Sequence, residues 1–336
     1  MAGAYRLSAA VAAFAELGVA DVLAGGARSA AEVAAQLGVH EPTLRRLLAA
    51  LAGEGVVSDE NGRYGLTPLS RALCAGDPDR TGDMVRGWTA LAEGYRAFGE
   101  LATTVRTGVS GFRLAYGQSF HEYLRDHPDR AAVYGAANDS TVAGFQAAVD
   151  AYDFAQHASV VDVGGGYGGF LLCLIQTHPR VRGIVYDLPH VVVETARRIG
   201  EAGASERITC SGGDAFESVP AGADAYVMVT VLRCFDDEQC MRLLGSCRAA
   251  MRPGARVLLL EMMLPAGPPP PPQGLADLQA LAVYGGADRT EAQWRSLLEG
   301  AGLSLLGVQP AQPPYWWIVG EAAQKERRGS PGAAPP

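Results

Sequence analysis

A glycine-rich segment near the middle of the chain constrains the fold more than any other feature of the sequence. Residues 159–172 read SVVDVGGGYGGFLL, and the part from Ser159 to Val163 has the length and composition of a buried strand. The glycines that follow allow a sharp turn and bring backbone N–H groups close to a ligand. An apolar segment of helical length comes next. This order predicts an α/β domain with a ligand crevice at the carboxyl ends of its strands.

The glycine turn by itself leaves the nature of the ligand open. Gly164, Gly166 and Gly169 satisfy the pattern GxGxxG, which is compatible with a dinucleotide. The same glycines are also compatible with a tight strand–helix junction that binds nothing. Evidence from other segments has to decide between these interpretations.

Three acidic residues lie at the ends of three consecutive predicted strands. Asp162 lies in the first strand, Asp187 ends GIVYD, and Asp214 follows RITC. Because the carboxyl ends of parallel strands share one edge of a sheet, we expect the three carboxylates near one crevice. Asp187 can accept hydrogen bonds from both hydroxyls of a ribose. Asp214 can accept one from an adenine amino group, and Phe216 would then be an apolar contact of the ring. Asp162 would orient the turn or a ligand ammonium group.

The pattern of helices and strands divides the chain into four predicted regions. The first shows three helices followed by a hairpin around Asn61-Gly62, which is a winged-helix pattern. The second is a helical connection with one long helix over residues 84–107. The third alternates strands and helices, which predicts a mostly parallel sheet covered on both faces, with a closing antiparallel hairpin at its edge. The last is a tail expected to be disordered. The predicted boundaries are 1–80, 81–150, 151–322 and 323–336.

Charge argues against binding of nucleic acid by the winged-helix region. The chain has a formal net charge of −8, and residues 1–80 contain seven arginines, no lysine and nine acids. A DNA-binding domain needs a basic face that neutralises several phosphates. We therefore expect a packing or dimerisation module.

The six cysteines and the apolar segments bear on location. The cysteines form neither a CxxC pair nor a Cys/His cluster with zinc spacing, so we expect reduced thiols, no metal site and a cytoplasmic protein. The amino terminus lacks the pattern of a signal peptide. No run of about 20 apolar residues predicts a membrane span.

Several segments resemble, in order and spacing, the S-adenosylmethionine-dependent small-molecule O-methyltransferases, in particular their bacterial natural-product branch. The segments are DVGGGYG, VYDLPHV, GGDAFESVPAGADAYVMVTVL, DDEQCMRLL, RPGARVLLLEMMLP and DRTEAQWRSLLEGAGL. The resemblance covers nearly the whole chain. It implies a class I methyltransferase fold, which is a Rossmann-like doubly wound α/β sheet, with an N-terminal winged-helix dimerisation domain. It also implies a homodimer and S-adenosyl-L-methionine as cofactor.

The resemblance assigns the glycine turn to the methionine part of the cofactor. It assigns Asp187 to the ribose, and Asp214 with Ala215 to the adenine. The residues that it predicts to bind the cofactor are Asp162, Gly164, Gly166, Asp187, Leu188, Asp214, Ala215 and Phe216.

One segment departs from the family pattern at the place that matters for catalysis. Members that use a general base carry histidine in a segment like L-H-D-W-x-D-E, whereas this chain reads LRCFDDE, with Arg233 in the histidine position. Arginine stays protonated and cannot accept the proton of a substrate, but it can donate hydrogen bonds or stabilise negative charge. The acids that flank the base in relatives map to Glu261 and Asp288.

Two functions are compatible with this departure. We favour O-methylation of a small aromatic or polyketide-type natural product, in which proximity makes a base unnecessary. The alternative is a non-methylating reaction such as hydroxylation, decarboxylation or a pericyclic rearrangement, with Arg233 as a cation or donor. His121, in SFHEYL, is either a relocated base or a packing histidine. The predicted walls of the substrate pocket are Asn138, Phe145 and Tyr284.

Overall fold

The computed structural model describes residues 3–75, 77, 81–86, 92–139 and 142–322. The chain forms two compact units, and the boundary between them is crossed more than once. The first unit contains residues 1–147 and 274–285, and the second contains residues 148–273 and 286–336.

The first unit begins with short helices around a small antiparallel sheet. The predicted hairpin is confirmed, because Asn61 and Gly62 both have positive φ, of 57° and 81°, between its strands. The third helix begins with a capping box formed by Ser29 and Glu32. The elements are α1 (Ala4–Glu16), α2 (Val19–Ala24), β1 (Arg28–Ser29), α3 (Ala30–Leu37), α4 (Glu41–Gly53), β2 (Val57–Glu60), β3 (Arg63–Leu66) and α5 (Pro68–Arg71), with sheet order β1-β3-β2.

Further helices follow in the first unit. The sequence predicts one long helix over residues 84–107, but the described part consists of separate helices, because Gly99 is a poor helix former and the chain breaks at Glu100. Trp88, expected on that helix, lies outside the described residues. The helices are α6 (Thr81–Met84), α7 (Ala92–Gly99), α8 (Leu101–Thr107), α9 (Gly111–Tyr116), α10 (Phe120–Asp126), α11 (Pro128–Asp139), α12 (Val142–Asp150) and α16 (Gln273–Gln279), the last continued by a π-helix over Ala280–Tyr284.

The second unit is built around one large sheet with strand order β10-β11-β8-β7-β4-β5-β6. Strands β4 to β8 pair in parallel, and a closing antiparallel hairpin, β10 and β11, lies at one edge, as the sequence predicts. Its strands are β4 (Ser159–Val163), β5 (Arg182–Asp187), β6 (Ile208–Gly212), β7 (Ala225–Val229), β8 (Arg256–Leu264), β9 (Arg289–Thr290), β10 (Leu303–Pro310) and β11 (Tyr315–Ala322). Its helices are α13 (Gly169–Thr177), α14 (Pro189–Glu201), α15 (Asp237–Ala250) and α17 (Glu291–Gly300).

Strand β4 lies between the two halves of the parallel part of the sheet. Strands β5 and β6 continue on one side of β4, and β7 and β8 on the other, so the strand order reverses there. In doubly wound sheets the ligand crevice lies at this reversal, beyond the carboxyl ends of the strands. The glycine turn follows β4 directly and therefore lies at the predicted crevice.

The end of β7 differs from the sequence prediction. The apolar run to Val231 predicts a strand of that length, but β7 ends at Val229, and Thr230 has a φ of 55°. A β-branched residue with positive φ is uncommon and turns the chain out of the sheet. The chain then enters a 3₁₀ turn over Leu232–Cys234, which we call the arginine turn because it carries Arg233.

Candidate active site

The glycine turn leaves β4 with a backbone that only glycine tolerates. Gly164 has a φ of 71°, and a Cβ atom placed on it would lie 2.9 Å from Cγ2 of Val231. Its N–H donates to the carbonyl oxygen of Tyr186 at 2.8 Å, so the turn is tied to the neighbouring strand β5. A side chain at position 164 would therefore fill the space between the glycine turn and Val231, which directly precedes the arginine turn.

Asp162 is a buried carboxyl group beneath the glycine turn. The residue is 1% exposed, and among the described residues neither Oδ1 nor Oδ2 has a hydrogen-bond partner. Burial, together with the nearby charge of Asp187, raises the pKa of Asp162 to about 8. Because an unpartnered buried carboxyl group is costly, its position favours a ligand that brings a donor or a positive charge.

Asp187 ends β5, and its two oxygens accept from the glycine turn and from the residue that follows the strand. Oδ2 accepts the N–H of Gly166 at 2.9 Å, and Oδ1 accepts the N–H of Leu188 at 2.7 Å. Burial raises the pKa of Asp187. Each carboxylate oxygen accepts more than one hydrogen bond, so this orientation leaves capacity for a pair of ligand hydroxyls.

The segment after β6 lies beside the other two acids because β6 pairs with β5, and β5 with β4. Asp214 is exposed, and its Oδ1 accepts the N–H of Phe216 at 2.8 Å. Ala215 is half-buried, as is Phe216, whose ring meets that of Phe235 edge-on at 5.1 Å. The segment thus offers a carboxylate beside apolar surface.

These groups fit the cofactor that the sequence resemblance implies. S-adenosylmethionine carries an amino group, a ribose diol and an adenine. The edge of the sheet supplies an unpartnered buried carboxyl at Asp162, a turn without side chains, and carboxylates at Asp187 and Asp214. The donors of the cofactor thus correspond to acceptors at the ends of three adjacent strands.

Arg233 is held by a buried acid. Its Nε donates to Oδ1 of Asp288 at 2.8 Å, and its Nη2 donates to Oδ2 at 3.0 Å. The Asp288 side chain is 0% exposed and that of Arg233 is 15% exposed. A bidentate pair of this kind fixes the plane of the guanidinium group. The structure therefore brings together two of the residues predicted to be catalytic.

Glu261, on β8, completes this group. Its Oε1 accepts the N–H of Leu232 at 2.7 Å, while its Oε2 is buried without a hydrogen-bond partner among the described residues. Burial raises the pKa of Glu261 to about 8, against the lowering effect of the Arg233 charge. Glu261 is therefore mostly protonated at pH 7, and it anchors the backbone of the arginine turn.

Two residues of this region have no counterpart in the sequence predictions. Arg289 is 1% exposed and donates to the backbone carbonyls of Leu232, in the arginine turn, and of Phe235, directly after it. Burial raises the pKa of Tyr315, on β11, which also feels the charges of Arg233, Glu261 and Asp288. No local motif marks either residue, although Arg289 directly follows the predicted Asp288.

The other predicted residues belong to the first unit. His121 stacks on the ring of Tyr284, with centroids 6.1 Å apart, and the Tyr284 hydroxyl lies 3.2 Å from that of Tyr134. Burial lowers the pKa of His121 to about 4, so its ring is neutral at pH 7. Asn138 is exposed and Phe145 half-buried. The roles of these four residues stay predictions.

One groove of the second unit contains none of the site residues described above. It has a volume of about 430 Å³ and is lined by residues 149–153 with Thr177 and His178. Within the described ranges, no group of three or more His, Cys, Asp and Glu side chains is placed to hold a metal ion. No helix in those ranges has the length and apolar character needed to span a bilayer.

Comparison of the sequence with known proteins gives a consistent result. The profile of the O-methyltransferase domain matches residues 98–304, and that of the O-methyltransferase dimerisation domain matches residues 1–76. The chain is 36% identical to the phenazine O-methyltransferase PhzM of Lysobacter antibioticus, over 88% of this chain and 87% of that protein. It is 38% identical to the 3-amino-4-hydroxybenzoate 4-O-methyltransferase of Streptomyces cremeus, over 92% of this chain and 84% of that protein.

Solved structures agree with the sequence comparison. The mitomycin 7-O-methyltransferase MmcR superposes with a TM-score of 0.91 at 31% identity, covering 96% of this chain and 95% of that chain. NcsB1, an O-methyltransferase from neocarzinostatin biosynthesis in complex with S-adenosylmethionine and 2-hydroxy-5-methyl naphthoic acid, gives 0.85 at 33% identity, covering 94% and 96%. The chain therefore belongs to the S-adenosylmethionine-dependent O-methyltransferase family, with a class I methyltransferase fold and an N-terminal dimerisation domain.

Proposed function

We propose that this enzyme transfers a methyl group to an oxygen of a small aromatic or polyketide-type natural product. Two relatives above are named for O-methylation in the phenazine class and of 3-amino-4-hydroxybenzoate, and NcsB1 binds 2-hydroxy-5-methyl naphthoic acid, which supports an aromatic acceptor with a hydroxyl group. One observation carries the proposal. The second unit combines a sheet edge that offers hydrogen-bond acceptors to the cofactor with a cation, Arg233, that is held in place by Asp288.

We further propose how the chain holds the cofactor. Asp162 accepts the amino group through its unpartnered oxygens, and Gly164 and Gly166 let the methionine part approach the backbone. Asp187 accepts the ribose hydroxyls. Asp214 accepts the adenine amino group, while Leu188, Ala215 and Phe216 supply apolar contact. When bound, S-adenosylmethionine supplies an electrophilic methyl group on a sulfonium.

The protein residues near the reaction then orient the acceptor, whose hydroxyl proton passes to solvent water. Arg233 is always charged and is paired with Asp288, so it donates to an oxygen of the acceptor and favours the developing phenolate. Proximity supplies most of the acceleration, since alignment of the oxygen with the methyl carbon replaces a bimolecular encounter. We keep His121 as a candidate base and Asn138, Phe145 and Tyr284 as candidate acceptor contacts.

Transfer of labelled methyl groups tests the proposal. The purified protein would be incubated with S-adenosylmethionine labelled in its methyl group and with 3-amino-4-hydroxybenzoate or 2-hydroxy-5-methyl naphthoic acid, and products would be followed by mass spectrometry. We expect a product that is heavier by one labelled methyl group, together with S-adenosylhomocysteine. An acceptor that changes without gaining label, while the cofactor stays intact, would support the non-methylating alternative instead.

The assembly and the location of the protein are proposals of the same kind. The match to a dimerisation domain supports a homodimer, which light scattering would detect as twice the 35.1 kDa chain mass. The six cysteines are free thiols in the structure, which supports a reducing, cytoplasmic environment. The acidic balance of residues 1–80 supports a role without nucleic acid.

A further inference from the structure

Arg289 is a buried cation that donates hydrogen bonds to several groups. Its side chain is 2% exposed, and its guanidinium carbon lies 5.4 Å from the centroid of the Trp294 ring. Its charge is balanced by Asp237, whose Oδ1 accepts from Nε at 2.9 Å and whose own side chain is 67% exposed. The remaining donors of Arg289 reach backbone oxygens.

Two of those backbone oxygens lie in the arginine turn and directly after it, and a third is that of Ala287, which accepts from Nη1 at 3.0 Å. Nη1 donates to the carbonyl of Leu232 at 3.2 Å, and Nη2 donates to that of Phe235 at 2.9 Å. These two residues flank Arg233 and Cys234. Because the guanidinium group is a rigid planar fork, it fixes the distance between the two carbonyls, which a lysine cannot do.

The segment that carries Arg289 is fitted to the arginine turn along its length. A Cβ atom on Gly286 would lie 2.1 Å from the carbonyl oxygen of Arg233, so only glycine allows this approach of the two backbones. Asp288 then holds the side chain of Arg233, and Arg289 holds the backbone around it. The N–H of Leu232, in the preceding peptide group, donates to Oε1 of Glu261 at 2.7 Å.

We propose that Arg289 is a positioning residue, which sets the orientation of Arg233 toward the acceptor by clamping the carbonyls on both sides of it. This inference rests on the proposed function, in which Arg233 contacts the acceptor. Arg289 itself is enclosed by Asp237, Trp294 and backbone, and it acts only through the arginine turn.

Arg289→Lys tests the inference because it keeps the charge and removes the fork. Arg207→Lys is the matched control, since Arg207 is a half-buried arginine of the same unit that donates to the carbonyl of Ile175, at 2.8 Å, and has no contact with the arginine turn. In hydrogen–deuterium exchange, amides 232–236 should exchange at least about tenfold faster in Arg289→Lys, while peptides covering the glycine turn keep their wild-type rates. Arg207→Lys should leave amides 232–236 unchanged.

Kinetics separate positioning from general stability. With the acceptor identified by methyl transfer, Arg289→Lys should lower kcat by roughly 10–100-fold and leave the calorimetric affinity for S-adenosylhomocysteine nearly unchanged. In an Arg233→Ala background the same substitution should have little further effect on kcat, because Arg289 acts through Arg233. Additive losses in the double variant, or unchanged exchange at residues 232–236, would overturn the inference.

Two outcomes distinguish the inference from the function on which it rests. If Arg233→Ala keeps wild-type turnover, the proposed role of Arg233 fails, and the inference about Arg289 fails with it. If Arg233→Ala loses turnover while Arg289→Lys keeps it, only the inference about Arg289 is overturned. Should Arg289→Lys not fold, Asp237→Ala serves instead, because it removes an exposed partner and should loosen Arg289 enough to raise exchange at residues 232–236.

Discussion

Replacing Arg233 with methionine should destabilise the second unit by about 3–5 kcal/mol, because it removes both Arg233 hydrogen bonds from the buried Asp288 carboxylate. The magnitude follows from the geometry of the pair. Asp288 is fully enclosed, and both of its oxygens accept from Arg233, at 2.8 and 3.0 Å. An exposed pair would be worth about 1 kcal/mol at most.

Thermal unfolding without added cofactor measures this loss. For a domain of about 150–250 residues each kcal/mol lowers Tm by about 2–4 °C, so Arg233→Met should unfold roughly 6–20 °C below the wild type. The double variant Arg233→Met with Asp288→Asn should recover much of the difference, because it removes both charges from the interior.

Arg295→Met is the control for this prediction. Arg295 pairs with Glu291 one helical turn away on α17, where both side chains are 49% exposed, so its loss should cost about 0.5 kcal/mol or less. If Arg233→Met shifts Tm no more than Arg295→Met does, the pair is not the buried, bidentate interaction described here, and the argument for a fixed cation fails.

Three further predictions concern the cofactor and the base. Burial raises the pKa of Asp162 to about 8 from its ordinary 3.8, so the folded protein loses stability as pH rises between these values. Asp162→Asn should flatten this dependence of stability on pH and stabilise the ligand-free protein at pH 8 by on the order of 2–5 kcal/mol. It should also weaken the binding of S-adenosylhomocysteine measured by calorimetry, and an unchanged affinity would contradict the role of Asp162. Asp187→Ala should weaken the same binding at least about tenfold, and equal affinity would exclude the ribose contact. Arg233→His should add a rising limb near pH ~6.5 to the profile of kcat/KM against pH, whereas a profile parallel to the wild type would mean that the histidine does not reach the acceptor.

Much of the fold was predictable because its signals are local. The Asn61-Gly62 turn, the Ser29 capping box and the strand before the glycine turn depend on neighbours within a few residues. Errors arose where one residue overrode a regular pattern. Thr230 ends β7 by a positive φ within an apolar run, and Gly99 divides the helix expected over residues 84–107.

The candidate site, like the fold, was predictable only in part. The acids at the strand ends were visible in the sequence because parallel strands bring their carboxyl ends to one edge. The contacts of Asp187 with the glycine turn agree with that expectation. The burial of Asp162 without a partner, and the contribution of Tyr315 from β11, were not visible, since both depend on how the whole sheet is covered.

The sequence by itself therefore determined the type of domain and the position of the glycine turn, and it predicted that Arg233 replaces a base. Only the tertiary structure decided which groups hold that arginine, because its partner Asp288 lies 55 residues away along the chain, next to Arg289. Strand β9 pairs with β8, and this pairing brings residues 286–289 against the arginine turn. Such contacts arise from the order of strands in the sheet, which is a property of the folded chain and of no local segment.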